Sequence, residues 1–186
     1  RKSKKDYVFS CCYPLSALRY PLKMNILFIG DIVGSPGRQV IKELLPGLRK
    51  EFNLNFVIAN AENAAGGSGI TARVSDELFS FGVDVLTSGD HIWKKKEIFE
   101  FIEQEERILR PINFPAGAPG RGFGLFKTKD GVKVGVINVN GRVFMEALEC
   151  PYRCTPFGAA VCGDEHQEFY FSCGISRYAA RRFKLY

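Results

Sequence analysis

Short apolar runs alternate with stretches of helical periodicity from residue 24 to residue 149. The apolar runs that have strand character lie at residues 25–29, 55–60, 83–87 and 108–109. They are rich in Val, Ile, Leu and Phe, as expected for buried strands. Two further strands, at residues 123–127 and 132–139, flank a Lys-Asp-Gly turn and predict a hairpin.

Helical stretches occupy the segments between the first strands. Ser35 and Pro36 predict a helix start, after which apolar residues recur at helical spacing. These residues are Val40, Ile41, Leu44, Leu45 and Leu48. Pro46 is expected to kink this helix or end it early, and further helices are predicted at residues 74–81 and 94–101. Strands that alternate with helices predict a parallel sheet with crossover connections, and therefore an α/β layered architecture.

The two ends of the chain differ from this block in composition and charge. The chain has 186 residues, a formal charge of +6 and six cysteines. Residues 1–23 carry a charge of +5, residues 150–186 carry +2 and residues 24–149 carry −1. All the cysteines lie in the two ends, at Cys11, Cys12, Cys150, Cys154, Cys162 and Cys173. We therefore divide the chain into a basic extension outside the fold, an α/β core, and an irregular tail rich in Cys and aromatic residues.

The sequence also bears on membrane insertion and location. It contains no run of eighteen apolar residues, so no membrane-spanning segment is expected. Residues 1–23 start with basic side chains, but Pro14, Arg19 and Pro21 interrupt any hydrophobic region, which makes a poor signal peptide. Met24 opens a segment of different pattern and is a plausible natural start. A core without cysteine and the lack of a credible signal favour the cytoplasm.

Polar residues follow the predicted strands, where ligands of open α/β sheets collect. They are Asp31 after the first strand, Glu62 and Asn63 after the second, Asp90 and His91 after the third, and Asn138 and Asn140 after the hairpin. Each one alone has an ordinary interpretation as a turn or capping residue. The three carboxylates, Asn63 and His91 together predict an oxygen-lined pocket with one imidazole, which suits manganese, iron or magnesium.

Two other kinds of site match parts of the sequence. Gly30, Gly34 and Gly37 open a helix after a strand, as in a dinucleotide-binding turn. Their spacing is not G-x-G-x-x-G, however, and Asp31 would meet the pyrophosphate. A mixed zinc site would use three of the cysteines in the tail together with His166, although the cysteine spacings are not those of a zinc ribbon.

Four segments in order along the chain carry a more specific signal. They are Gly30-Asp31-Ile32-Val33-Gly34, residues 60–71 (NAENAAGGSGIT), residues 87–93 (TSGDHIW) and residues 110–115 (RPINFP). Together they resemble the YmdB-like family of bacterial calcineurin-like metallophosphoesterases, over residues 24–149. The resemblance implies a layered metallophosphoesterase-like sandwich with a dinuclear metal centre, usually of iron or manganese. It also implies hydrolysis of phosphodiesters, including 2′,3′-cyclic nucleotides.

The resemblance assigns roles to individual residues. Asp31, Glu62 and Asn63 correspond to metal ligands. Asp90 stands where the family has Asn, and it still offers an oxygen ligand. Its added charge attracts a metal ion but repels an anionic phosphate. His91 corresponds to the histidine beside the substrate that assists the leaving oxygen.

The same resemblance shows departures from the family pattern. Gly66 and Gly67 would let the backbone approach a nucleotide closely, but Lys94 stands where the family commonly has Asp. The family takes further histidine ligands from its C-terminal half, and His166 does not match that motif. The resemblance therefore implies a truncated fold and an impaired activity, and we interpret the tail from residue 150 as divergent or frame-shifted.

The expected partners follow from the same resemblance. They are a nucleotide or small phosphodiester substrate, two divalent metal ions (iron or manganese, with magnesium as a third candidate) and further copies of the chain in a homo-oligomer. We expect no nucleic acid beyond the substrate. The alternative is a non-catalytic α/β module whose basic ends bind nucleic acid, although charged ends are usually only solvated.

Overall fold

The computed structural model describes residues 24–141, 148–150 and 154, together with the backbone of residues 167–173 and 182–183. The interpretation of residues 1–23 and the zinc site with His166 lie outside the described residues. No described helix is long and apolar enough to cross a membrane.

A four-stranded parallel sheet carries the first half of the described chain. Its strands, in spatial order, are β1 (Ile26–Asp31), β2 (Phe56–Asn60), β3 (Val85–Thr87) and β4 (Ile108–Leu109). All neighbouring strands pair in parallel, as the sequence predicts. The register of β1 on β2 shifts between Ile29 and Asp31, so that Asp31 lies opposite Asn60. The carboxyl ends of all four strands therefore meet at one edge of the sheet.

The helices cross over between these strands. They are α1 (Gly34–Glu51), α2 (Ala72–Ser80), a 3-10 helix (Asp90–Lys94) and α3 (Ile98–Gln104). The bounds predicted for the helix at residues 94–101 are wrong, because the 3-10 helix ends at Lys94 and α3 begins only at Ile98 and continues to Gln104. Ile98 and Ile102 are the buried residues of α3, and because they are four residues apart they share the face of the helix that packs into the core.

The helix α1 continues through Pro46 to Glu51, so the prediction that Pro46 ends it early is wrong. The helix also begins one residue before the predicted cap, at Gly34. Proline removes one helical hydrogen bond, but Pro46 lies on the exposed side of α1. Leu45 is buried in the core, and Arg49 donates to the carbonyl of Gly82 on the other side of the proline. The contacts of Leu45 and Arg49 stabilise α1 on both sides of Pro46.

A second sheet packs beneath the first. It contains β5 (Phe123–Lys127), β6 (Lys133–Val139), β7 (Gln167–Cys173) and β8 (Arg182–Phe183) in that order. The predicted hairpin is confirmed, since β5 and β6 pair antiparallel. The prediction of an irregular tail is wrong for β7 and β8. The backbone of β7 pairs in parallel with the free edge of β6, and such pairing satisfies main-chain groups without requiring alternating side chains.

Alternate residues of the first sheet pack into different layers. Val57, Ala59 and Leu86 face the helices in one buried cluster. Their neighbours face the second sheet in another cluster, which contains Phe56, Ile58, Val85, Leu109, Val134 and Val136. The result is a layered α/β sandwich, as predicted. Its buried, regular interior holds the loops at the carboxyl edge in place.

We expect neighbouring leucines of α1 to differ sharply in their contribution to stability. Leu45 is 1% exposed and Leu44 is 56% exposed, although both belong to the apolar pattern of the helix. Replacing Leu45 by Ala should lower the free energy of unfolding by about 2–5 kcal/mol, because it leaves a cavity. Leu44→Ala is the matched control and should change it by no more than about 0.5 kcal/mol. Equal losses in urea unfolding would contradict this packing of α1.

Candidate metal centre

The residues that follow β1, β2 and β3 converge around the side chain of Asn63. Its Nδ2 donates to Oδ2 of Asp31 at 2.8 Å, and its Oδ1 lies 2.6 Å from Nδ1 of His91. Because a carboxylate only accepts, the amide oxygen of Asn63 is left to accept from Nδ1–H of His91. Nε2 of His91 lies on the other side of the ring, 3.6 Å from Oδ2 of Asp90.

Three of these side chains form a compact group. Glu62, Asp90 and His91 each offer one ligand atom, and these atoms lie within 4.8 Å of one another. Within the described part of the chain, this is the one group of three or more such side chains spaced to hold an ion. The structure thus brings together all five residues predicted as metal ligands or catalytic groups.

Glu62 is the most buried carboxylate of the group, with 7% of the residue exposed. Its Oε2 is buried and has no hydrogen-bond partner. Burial, followed by the negative charges of Asp31 and Asp90, raises the pKa of Glu62 from 4.5 to about 7. A divalent cation placed here would offset both the desolvation and the repulsion. The donor set therefore fits a metal ion.

The backbone around Glu62 fixes its position. Its N–H donates to Oδ1 of Asn60 at 2.9 Å, and its carbonyl accepts from the N–H of Gly69 at 2.6 Å. Gly89 lies directly against the carboxylate, because a Cβ at this position would come 1.7 Å from Oε2 of Glu62. The space for the carboxylate thus depends on the absence of a side chain at Gly89.

The glycine-rich loop after Asn63 leaves an open surface beside the group. Gly66 and Gly67 have φ values of 70° and 89°, which a side chain rarely adopts. Both are exposed, and nothing lies within 4 Å of a Cβ built on either. The N–H of Gly67 donates to the carbonyl of Asn63 at 3.1 Å. The substrate-binding role of these two glycines stays a prediction.

Buried amides connect the second sheet to this edge. Nδ2 of Asn138 donates to the carbonyl of Ser88 at 2.7 Å and to that of Leu109 at 2.9 Å. Asn113 pairs with the main chain of Asn140, donating at 3.0 Å and accepting at 2.9 Å. In the sequence, Asn138 and Asn140 stand at a strand end without a predicted role, and Ser88, Gly89 and Asn113 appear only as members of the motif segments. Ser88 directly precedes the loop that carries Asp90 and His91, so Asn138 helps to position that loop.

Comparison with known proteins agrees with the geometry. The chain matches the model of the YmdB-like protein family over residues 27–171. It belongs to this family. The match extends beyond residue 149, where the resemblance expected from the sequence ends.

Relatives with assigned names share about half of their length with this chain. A 2′,3′-cyclic-nucleotide 2′-phosphodiesterase of Bacillus subtilis is 46% identical over 129 residues, which are 69% of this chain and 48% of that protein. A putative phosphatase/phosphodiesterase of Mycoplasma genitalium is 34% identical over 139 residues, which are 72% of this chain and 48% of that protein. The chain therefore spans about half the length of the curated relatives it matches.

Two crystal structures have the same fold in this region. A hypothetical protein from Thermus thermophilus superposes with a TM-score of 0.66 at 38% identity, covering 70% of this chain and 50% of that one. A novel phosphatase from Mycoplasma pneumoniae superposes with a TM-score of 0.64 at 26% identity, covering 70% of this chain and 48% of that one. The metallophosphoesterase-like α/β fold predicted from the motifs is confirmed.

We expect Glu62→Gln to stabilise the metal-free protein. The pKa of Glu62 is raised to about 7 in the folded state, so the folded protein binds this proton more tightly than the unfolded chain does. The stability due to the neutral carboxyl is therefore lost as the pH rises from about 4.5 to about 7. At pH 8 with EDTA, the substitution should raise the free energy of unfolding by about 1–3 kcal/mol.

The gain in the free energy of unfolding from Glu62→Gln should be smaller at pH 5, because Glu62 of the folded parent is mostly protonated there. Glu100→Gln, on the exposed side of α3, is the matched control and should have little effect at either pH. Urea unfolding at both pH values measures the change. A Glu62→Gln variant no more stable than the parent at pH 8 would contradict the burial of an unpaired charge.

Proposed function

We propose that the group around Glu62 is part of the active centre of a metal-dependent phosphodiesterase that acts on diesters such as 2′,3′-cyclic nucleotides. The observation that carries the proposal is a buried carboxylate oxygen of Glu62 without a partner, on a side chain that groups with Asp90 and His91 so that their ligand atoms lie within 4.8 Å of one another. Membership of the YmdB-like family supports it, as do the phosphodiesterase names of the relatives from B. subtilis and M. genitalium.

The side chains suggest how the centre would be held. Asp31, Glu62, Asn63 and Asp90 offer oxygen atoms, and His91 adds an imidazole. This donor set suits iron, manganese or magnesium, and we propose two ions, of iron or manganese. Bound divalent ions would stabilise negative charge on the phosphoryl oxygens and lower the pKa of bound water.

His91 is proposed to assist departure of the leaving group by proton transfer. Asn63 holds Nδ1, which orients the ring and leaves Nε2 to exchange a proton with the leaving ribose oxygen. Asp90 beside it would attract the cations and repel the phosphate, so we expect slow turnover. Gly66 and Gly67, with no side chains in the way, would admit the nucleotide.

Other expectations from the sequence stay predictions. They are the cytoplasmic location, the homo-oligomer and the lack of nucleic-acid partners beyond the substrate. The rival function, nucleic-acid binding through the basic ends, rests on residues 1–23 and most of the tail, which lie outside the described residues. No described residue favours it.

Hydrolysis by the purified full chain tests the proposal. Loaded with Mn²⁺, the protein should slowly hydrolyse a chromogenic phosphodiester and 2′,3′-cyclic AMP. His91→Ala and Asp31→Asn should each lower kcat/KM by about a hundredfold or more, because one removes the proton donor and the other a metal ligand. Lys96→Ala, an exposed change outside the group, should leave kcat/KM unchanged. An inactive parent, or activity that survives both substitutions, would overturn the proposal.

A further inference from the structure

A second concave site lies at the opposite, amino edge of the sandwich. It is a cavity of about 430 Å³, bordered by the start of β2, the turn before β3 and the hairpin between β5 and β6. Its volume falls in the range of sites that hold small molecules. Phe56 at this cavity and Asn60 near the metal centre stand at opposite ends of β2, on the order of 15 Å apart at the usual rise per residue. The two sites are therefore separate.

Positive charge dominates the lining of this cavity. Four cationic side chains line it, namely Arg49, Arg107, Lys127 and Lys129, against one acidic side chain, Asp84. Arg49 pairs with Asp84 and Arg107 with Glu105, so the net positive charge comes from the two lysines. This concentration of charge contrasts with the core segment as a whole, which has a charge of −1 between residues 24 and 149. A concave surface with such a charge attracts anions.

The two arginines are held in place before any ligand arrives. Arg49 donates through Nε and Nη2 to the carbonyl of Gly82, at 2.9 and 2.7 Å, and Nη2 also pairs with Asp84. Arg107 donates through Nε and Nη2 to Glu105, at 2.8 and 2.6 Å. These bonds leave the Nη1 group of each arginine as a donor for a further acceptor. A guanidinium that is already ordered loses little entropy when it binds an anion.

The hairpin adds two exposed cationic side chains to the lining. Lys127 is the last residue of β5 and Lys129 lies in the turn that follows, and both are exposed.

Aromatic rings form the apolar part of the lining. Phe79 and Phe126 are partly exposed there, whereas Phe56 is 2% exposed and supports Phe126 from the core, with ring centroids 6.2 Å apart. The guanidinium of Arg107 lies 3.8 Å from the ring centroid of Phe79. Cationic groups beside aromatic rings are the combination that binds the phosphate and the base of a nucleotide.

We propose that this cavity binds a nucleoside monophosphate, with the phosphate at the arginines and hairpin lysines and the base against Phe79 and Phe126. The site is distinct from the metal centre and does not depend on the phosphodiesterase activity proposed above.

Calorimetric titration of the full chain in EDTA tests this site without contribution from bound metal. AMP should bind, and adenosine and inorganic phosphate should each bind at least about tenfold more weakly, because each lacks one half of the recognised molecule. The double variant Lys127→Ala/Lys129→Ala should weaken AMP binding by at least about tenfold. The matched control Lys42→Ala/Lys96→Ala removes the same charge from exposed positions that do not line the cavity, and it should leave the affinity unchanged.

The variants also separate this site from the metal centre. His91→Ala should leave AMP binding unchanged. No binding of AMP, an affinity unaffected by the hairpin double variant, or a loss in His91→Ala would each overturn the proposal. Equal affinities for AMP and phosphate would overturn the assignment to a nucleotide. Both hairpin lysines are exposed, so the double variant should keep the parent's circular dichroism spectrum.

Discussion

Burial of a carboxylate beside two others costs free energy unless a cation joins them. Glu62 is in this position, with Asp31 and Asp90 raising its pKa and with Oε2 unpartnered. Several neighbouring features serve to keep it there. The N–H of Gly69 and the side chain of Asn60 hold its main chain, and the lack of a side chain at Gly89 leaves room for its carboxylate. Such an arrangement lowers the stability of the metal-free fold and favours binding of a divalent ion.

The layered fold supplies stability that offsets the cost of burying Glu62. Buried β2 and β3 end at the same edge, and apolar clusters on both faces of the sheet hold them rigidly. Asn138 joins the second sheet to the carbonyl of Ser88, immediately before Asp90 and His91. Loops held by such contacts can keep like charges close together, because the rest of the fold supplies the stability that the loops lack. The cavity lined by Arg49, Arg107 and the hairpin lysines lies at the opposite edge of the same sandwich.

The candidate ligands could be found from the sequence because parallel strands bring their carboxyl ends together. Asp31, Glu62 and His91 are far apart in the chain, yet each follows an apolar run that is recognisable as a strand. Features that depend on distant neighbours could not be found this way. Asn138 bonds a residue 50 positions earlier, and the need for Gly89 arises from Glu62 packing against it. Helix α1 continues past Pro46 because tertiary contacts outweigh the low helix propensity of proline. Strand β7 forms by pairing with β6, although its sequence has no clear strand periodicity.

Binding of Mn²⁺ to the metal-free full chain tests the central claim most directly, with free Mn²⁺ followed by electron paramagnetic resonance. We expect the parent to bind Mn²⁺ at pH 8. Gly89→Ala should abolish that binding, because the added Cβ would meet Oε2 of Glu62. Gly117→Ala, where a Cβ meets nothing within 4 Å, should bind as the parent does. If all Mn²⁺ stays free in the parent, or if Gly89→Ala binds it as tightly as the parent, Glu62 does not sit at the centre of a metal site.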